Sequence, residues 1–447
     1  MRDGGRPPIL IPVLGALFLV FLAGSAVTEF RLAPYRALLE PAYESLRAQL
    51  HGARLRSGRP SRMAGELHWR VARTEATGVT RSVPDSLWGD FTVYTSTHAS
   101  AAFLVDRAGE VVHEWRLPFH EAFPDAEHVE SPVDEEQIFL SSALVYPNGD
   151  LVTRYGARGD TPYGYGLVKV DRDSNPLWTF SGTSHHDVQM EAEGTLVTLT
   201  HRFRRPAQDP LLAELPFPDR ILVDEIVRLS PEGEELQRVD LVEAFASSEF
   251  RWVLESTFLT DNDLPAWDVL HANAVRPVPE GWARHHDFAE AGWWLVSLRS
   301  PSLLALVDPE SEEVRWFARG FWRFQHDPHP LDDGDLLLFD NQGYAGEGGP
   351  SRLLELDAAT GAVEWSYQGS EEDYFYSEYS SHARPLPNGN VLVTESNAGR
   401  IFEVTRGGRV VWEFWNPARA VDEGAEFVAS VNDARRYTAA QLPFLER

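Results

Sequence analysis

Four histidines, His186, His271, His326 and His382, open the same kind of segment in this chain. The segments are HHDVQMEAEGTLVTLTH (185–201), HANAVRPV (271–278), HDPHPLDDGDLLLFDNQG (326–343) and SHARPLPNGNVLVTESNAG (381–399). In each, the histidine precedes a short run that leads to a turn or insertion and then to a β-rich stretch. They lie 85, 55 and 56 residues apart, and His185 adds a fifth imidazole to the first segment. Clustered imidazoles suit two chemistries. They ligate zinc, copper or iron, or they bind a tetrahedral oxyanion while one of them acts as nucleophile. Arg299 ends GWWLVSLR (292–299), the strand after the His271 loop. A fixed cation there opposes a metal and favours sulfate or phosphate. His51, His68, His98, His113, His120, His128 and His201 fall outside this phase and read as packing or surface residues. His285 and His286 read as exposed in an insertion, and His329 stays open. The chain has no cysteine, so thiolate metal sites, Fe–S clusters, disulfides and thiol nucleophiles are excluded.

Periodic histidines meet in space only if the elements that carry them repeat. A strand–turn–strand unit recurs six times: 101–115, 166–180, 224–239, 303–317, 352–367 and 399–414. Its turns start at Asp106, Asp171, Ser230, Asp308, Asp357 and Thr405. The histidine segments alternate with it, and their Asn-Gly and Asp-Gly turns are hairpin signals because they supply φ > 0. Each pair of units makes about four antiparallel strands. Four-stranded repeats at periods near 50 residues are the signature of propeller blades. The expectation is an all-β, six-bladed β-propeller over 86–447, with long insertions at 203–223 and 243–268 and the two chain ends completing one blade. Side chains in the histidine phase then converge on the central channel.

The charge is unevenly placed. Residues 31–85 carry ten arginines against five acids, whereas 86–447 carry 28 bases against 61 acids. Lys169 is the only lysine, and the formal net charge is −28. So acidic a chain lacks the basic face that nucleic acid requires. Ile9 to Thr28 is uncharged and mostly apolar, about the length that crosses a bilayer. Residues 1–30 are expected to be a membrane anchor or signal sequence, with an uncleaved transmembrane helix preferred. Residues 31–85 are expected to be a basic neck or linker, helical over 34–56 on the spacing of Tyr35, Leu38, Leu39, Tyr43, Leu46 and Leu50.

SHHD (184–187), WDVLHANAV (267–275), SLR (297–299), FQHD (324–327), PLPNGNVLVTESNAGRIFEV (385–404) and NDARRYTAAQLPF (432–444) together resemble the bacterial arylsulfate sulfotransferase family. The resemblance spans roughly 86–447. It implies a six-bladed propeller working outside the cytoplasm, periplasmic or at the cell surface. It also implies transfer of a sulfuryl group from an aryl sulfate ester to a phenolic acceptor, with no nucleotide sulfate donor and no cofactor. Transfer would be ping-pong through a sulfohistidine. By motif, His326 is the nucleophile, His186, His271 and Arg299 hold the sulfate oxygens, and Asn273 positions or polarises. Ser381 and His382 match a further polar channel position. Phe321, Trp322 and the segment Tyr374 to Tyr379 are candidates for stacking on aryl groups at the channel mouth. A metal-dependent propeller hydrolase and a non-catalytic envelope scaffold are the competing readings. A quinone-cofactor dehydrogenase fits less well, because those propellers usually have eight blades and this chain is too short.

Overall fold

The computed structural model describes residues 68–129, 132–158, 164–256, 267–341, 350–370 and 373–446. They belong to one compact unit, Glu66–Arg447. The expected anchor (1–30) and the helix over 34–56 lie outside the described residues. Among the described residues, no helix is long and apolar enough to cross a membrane.

The described chain is all-β in architecture. Six antiparallel sheets of four or five strands account for most of it. The first sheet joins Val431–Tyr437 to Phe91–Ser96, Ala101–Asp106 and Val111–Arg116. The second has its innermost strands at Ile138–Leu140 and Leu144–Val145, the third at His185–Met190, the fourth at Ala272–Pro277, the fifth at His326–Pro330 and the sixth at His382–Pro385. Each of the six expected strand–turn–strand units lies in its own sheet. The first sheet is closed by a strand from each end of the described chain, because Val431–Tyr437 pairs with Phe91–Ser96.

Leu303–Asp308 is apolar on both faces and almost wholly buried, and so is most of Ile221–Leu229 despite Asp224 and Glu225 within it. A strand of that kind needs cover on both sides. The cover is the neighbouring sheet. Six apolar clusters fill the gaps between successive sheets, and one of them joins Ile401, Trp412 and Phe414 of the sixth sheet to Tyr94, Phe103 and Val105 of the first. The sheets are therefore arranged as in a propeller. Both expected insertions thicken the core. Leu212 and Leu215, and the helices Leu241–Ser247 and Trp252–Ser256, pack between the third and fourth sheets. Asp240 caps the first of these helices by accepting the Glu243 N–H.

Tryptophans pin the outer rims together. Trp115 Nε1 donates to Gly149 O (2.9 Å), Trp178 to Pro231 O (3.0 Å), Trp365 to Arg406 O (2.8 Å) and Trp412 to Arg107 O (3.0 Å). The first three indoles sit on a sheet's outer strand and Trp412 on the strand next to Gly78–Ser82, and each reaches a turn carbonyl of the next sheet. The last of these contacts links the sixth sheet to the first. Gly149 has φ +91, and a Cβ there would meet Arg172 Cβ at 2.7 Å, so the Asn148–Gly149 turn admits no side chain.

The expected neck does not extend to residue 85. Gly78–Ser82 pairs with Val410–Trp415 as the fifth strand of the sixth sheet, and Trp69–Val71 pairs with Ala425–Ala429 in a small separate sheet. The β-branched Val79 packs on the cluster between the sixth and first sheets. Two arginines of this stretch make contacts: Arg70 bonds Glu378 (2.7 Å) and Tyr379 (2.8 Å), and Arg73 bonds Glu395 (2.5 Å).

Candidate active site

The inner strands share a defect at the end where the histidines sit. Register slips by two residues between His185 and Val188, and by one between Ala272 and Ala274, His326 and His329, and Val431 and Asp433. Such bulges break strict alternation and re-aim side chains. His186 (φ 55), His271 (φ 49) and Asp327 (φ 51) take left-handed backbone there. That conformation costs about 1–3 kcal/mol for a non-glycine residue, and it clusters where geometry serves function. One consequence is that His185 and His186, adjacent in sequence, both face one central cavity.

That cavity is lined by His68, Phe139, Ser141, Arg154, Gly156, Ala157, His185, His186, Asn273, His326, Ser380, His382 and Asn432. His186 holds the middle of an imidazole chain. Its Nδ1 is 2.7 Å from His185 Nδ1, and its ring centroid is 5.0 Å from that of His271. His271 Nδ1 lies 2.6 Å from Asp268 Oδ2, which orients its ring. His382 Nε2 meets Asn432 O at 2.9 Å. Asn273 donates from Nδ2 to Gln325 O (2.8 Å), while its buried Oδ1 has no partner among the described residues.

The surroundings of His326 fix its tautomer. Asn341 donates through Nδ2 to Ser377 O (2.9 Å) and Ser380 O (3.0 Å). Its Oδ1 must then face His326 Nδ1, 2.8 Å away, as an acceptor. Phe324 O, a second acceptor, is also 2.8 Å from that nitrogen. Nδ1 therefore carries the proton, and Nε2 keeps its lone pair. Burial lowers the His326 pKa to about 3, and the nearby Arg299 guanidinium pushes the same way. Burial first, then the neighbouring imidazoles and Arg154, holds His186 well below the ordinary range as well. His68 is lowered to about 4, chiefly by burial. At neutral pH these three are neutral bases.

Below the imidazoles lies a layer of buried carboxylates and guanidinia. Asp187 accepts from Val275 N (3.1 Å) and Arg276 (3.1 Å), and Arg276 also pairs with Asp327. Asp327 accepts from Ala383 N (3.0 Å). Asp433 accepts from Ala143 N (3.1 Å) and pairs with Arg384 (2.7 Å). Each aspartate thus satisfies an N–H at the start of the next sheet's inner strand, a group that sheet pairing leaves open. In HHD (185–187), HD (326–327) and ND (432–433) the residues before the aspartate face the cavity, while the aspartate bonds neighbouring sheets together.

The site residues expected from the sequence differ in where they stand. His186, His326, His382 and Asn273 line the cavity, with the extra His185. His271 touches His186 from just behind. Arg299 is buried, 4.0 Å over the Phe324 ring, and acts on His326 through its field. Ser381 is not in the cavity lining; its hydroxyl accepts the Ser396 N–H (3.1 Å), and Ser380 faces the cavity instead. Phe321 and Trp322 stand away from the cavity, in a depression between outer strands of the fourth and fifth sheets. His285 is exposed as expected, whereas His286 is partly covered and bonds Gly334 O (2.8 Å). His329 is partly covered, its Nε2 3.2 Å from Asp327 Oδ2. Sequence reasoning missed Arg154, Asp268 and Asn341, and took His68 for a packing residue. Among the described residues, no group of three or more His, Asp or Glu side chains is placed to hold a metal ion.

Sheets ringed around a buried cluster of neutral imidazoles define a propeller with a polar, anion-compatible centre. The family model for arylsulfotransferase (ASST) matches residues 143–417, more than half of the 447 residues, and the chain belongs to that family. No curated protein matches it significantly. Among solved structures it is similar to a protein of unknown function from Bacteroides caccae (13% identity, 73% of this chain and 94% of that one, TM-score 0.45). It is also similar to the WD40 β-propeller domain of Doa1 (12% identity, 83% and 95%, TM-score 0.40). A third is a catalytically inactive virginiamycin B lyase from Staphylococcus aureus bound to quinupristin (9% identity, 65% and 74%, TM-score 0.35).

Proposed function

We propose that this protein is a six-bladed propeller sulfotransferase that moves a sulfuryl group from an aryl sulfate ester to a phenolic acceptor through a sulfohistidine at His326. The observation that carries the reading is the Asn341 clamp, which leaves a neutral imidazole with its Nε2 lone pair available in a buried cavity. Nε2 attacks sulfur in line, the S–O bond breaks, and the phenolate departs with the electron pair. The acceptor phenol then gives its proton to a neighbouring imidazole, and its oxygen attacks the sulfohistidine. His271, oriented by Asp268, is suited to be that base. His186 and Asn273 stabilise charge on the sulfuryl oxygens, and Arg299 adds only its field from outside the lining, by the positioning and electrostatics that govern phosphoryl transfer. No nucleotide sulfate donor is needed in this scheme. Residues 1–30 anchor the chain, with the propeller outside the cytoplasm.

The test is to incubate the full chain with 4-nitrophenyl sulfate and phenol and digest it. The peptide bearing His326 should gain the mass of one sulfuryl group. Nitrophenol release that persists in His326→Ala sinks the nucleophile assignment. A chelator-sensitive hydrolysis that forms no phenyl sulfate would favour the metal-dependent alternative, and no turnover in a folded protein would favour a scaffold. Protease protection in spheroplasts tests the topology.

A further inference from the structure

Among the described residues, Arg154 is the one side chain of the cavity lining with a permanent charge. It stands on Leu151–Ala157, the second strand of its sheet, registered against Leu167. Its carbonyl accepts the Ser141 N–H at 2.9 Å, which fixes the strand at that point. Its guanidinium is not so engaged. No hydrogen bond or ion pair from the described residues holds it, and Nε is buried without a partner among them.

The acids whose field reaches Arg154 are Asp187 and Asp433. Both are committed elsewhere: Asp187 to Arg276 and the Val275 N–H, Asp433 to Arg384 and the Ala143 N–H. Burial lowers the Arg154 pKa to about 10, which leaves it protonated at neutral pH. A desolvated cation whose nearest acids are already paired is unfavourable in the empty fold. An anion in the cavity would reverse that. The guanidinium fork matches two oxygens of a tetrahedral oxyanion, and His68, His186 and His326 in the same lining are held neutral and add no charge.

We propose that Arg154 anchors the non-bridging oxygens of a singly charged oxyanion ester, and that this single charge makes the cavity prefer sulfate monoesters to phosphate monoesters. The proposal rests on the sulfuryl-transfer reading only for the chemistry after binding. A sulfate monoester carries one negative charge. A phosphate monoester carries between one and two at neutral pH, its second pKa being near 6. The second charge would enter a desolvated site whose described lining offers no second permanent cation.

The experiment measures binding apart from turnover. Full-length His326→Ala protein in detergent is titrated calorimetrically with 4-nitrophenyl sulfate and with 4-nitrophenyl phosphate. The titrations are repeated with Arg154→Gln and Arg154→Lys added. Arg154→Gln should weaken sulfate-ester binding about tenfold to a hundredfold, the usual effect of losing charged hydrogen bonds, and Arg154→Lys should recover part of it. The parent should bind the sulfate ester at least about tenfold more tightly than the phosphate ester, one buried charge being worth more than a surface pair. Thermal melts of the ligand-free proteins should show no loss in Arg154→Gln, because the charge it removes is unpaired. Equal sulfate binding with and without Arg154, equal binding of the two esters, or no binding of either overturns the proposal. The transfer reading fails separately: if wild-type protein never sulfates His326 while Arg154→Gln abolishes ester binding, the anchor stands and the chemistry does not.

Discussion

The pH dependence of the first half-reaction separates a buried, clamped nucleophile from an ordinary histidine. The perturbation is a shift from pH 7.5 to pH 5. If His326 titrated at the ordinary 6.5, only about 3% of it would be neutral at pH 5, and the sulfation rate would fall roughly thirtyfold. Burial and Arg299 lower its pKa to about 3. With that value about 99% of the imidazole stays neutral at pH 5, so the rate should change by less than about twofold. The assay is the burst of nitrophenol from 4-nitrophenyl sulfate without acceptor, followed by stopped flow at the wavelength where phenol and phenolate absorb equally. The enzyme is held at pH 7.5 and mixed into the target buffer, so that acid unfolding does not intervene. A thirtyfold loss with a midpoint near 6.5 would refute the desolvated, neutral nucleophile and the Asn341 clamp on which it depends.

Three further outcomes rest on other contacts. His68, His201, His326 and His329 have folded pKa values lowered to about 4, 3, 3 and 4, below their unfolded value of 6.5. Their contribution is therefore complete above pH 6.5 and is lost as pH falls toward 4. Each should cost about 2 kcal/mol at pH 5, and urea midpoints that stay level from pH 7.5 to 5 would contradict this. Arg276→Met leaves Asp187 and Asp327 without their shared cation and should cost about 3–5 kcal/mol in denaturant titrations; a loss under about 1 kcal/mol would show that the carboxylates are satisfied without it. Trp412→Phe removes the N–H bonded to Arg107 O but keeps most of the packing, so it should cost about 1 kcal/mol, against about 3–5 kcal/mol for Trp412→Ala. Similar losses for the two would mean that the indole N–H, not its bulk, joins the sixth sheet to the first.

The propeller arrangement was legible because its physical causes are local. Asn-Gly turns, alternating apolar runs and outer-strand tryptophans repeat with a visible period, and all six strand–turn–strand units fall into separate sheets. The cavity histidines were legible for a related reason, since a shared phase in the repeat becomes a shared radius in the ring. What was not legible breaks the phase. Asn341 follows the second strand of its sheet and reaches His326 only through a fold-back to Ser377 and Ser380. Arg154 is one arginine among many, on a strand whose sheet brings no histidine to the cavity. Arg299 was placed by its strand, but its stacking on Phe324 depends on a loop conformation that no spacing encodes. Gly78–Ser82 is short and follows an arginine-rich stretch, so it read as linker until a partner strand was known.

The strand Val431–Tyr437 gives the molecule an order of assembly. It is the inner strand of the sheet whose other members, from Phe91 to Arg116, come early in the chain. It also supplies Asn432 to the cavity wall and Asp433 to the layer beneath. While the chain emerges from the ribosome, its first sheet lacks its innermost strand until Val431–Tyr437 has been made. Loop closure across that distance comes last and is slow. A chain halted before Val431 would hold nearly every imidazole of the site and still lack the wall that encloses them.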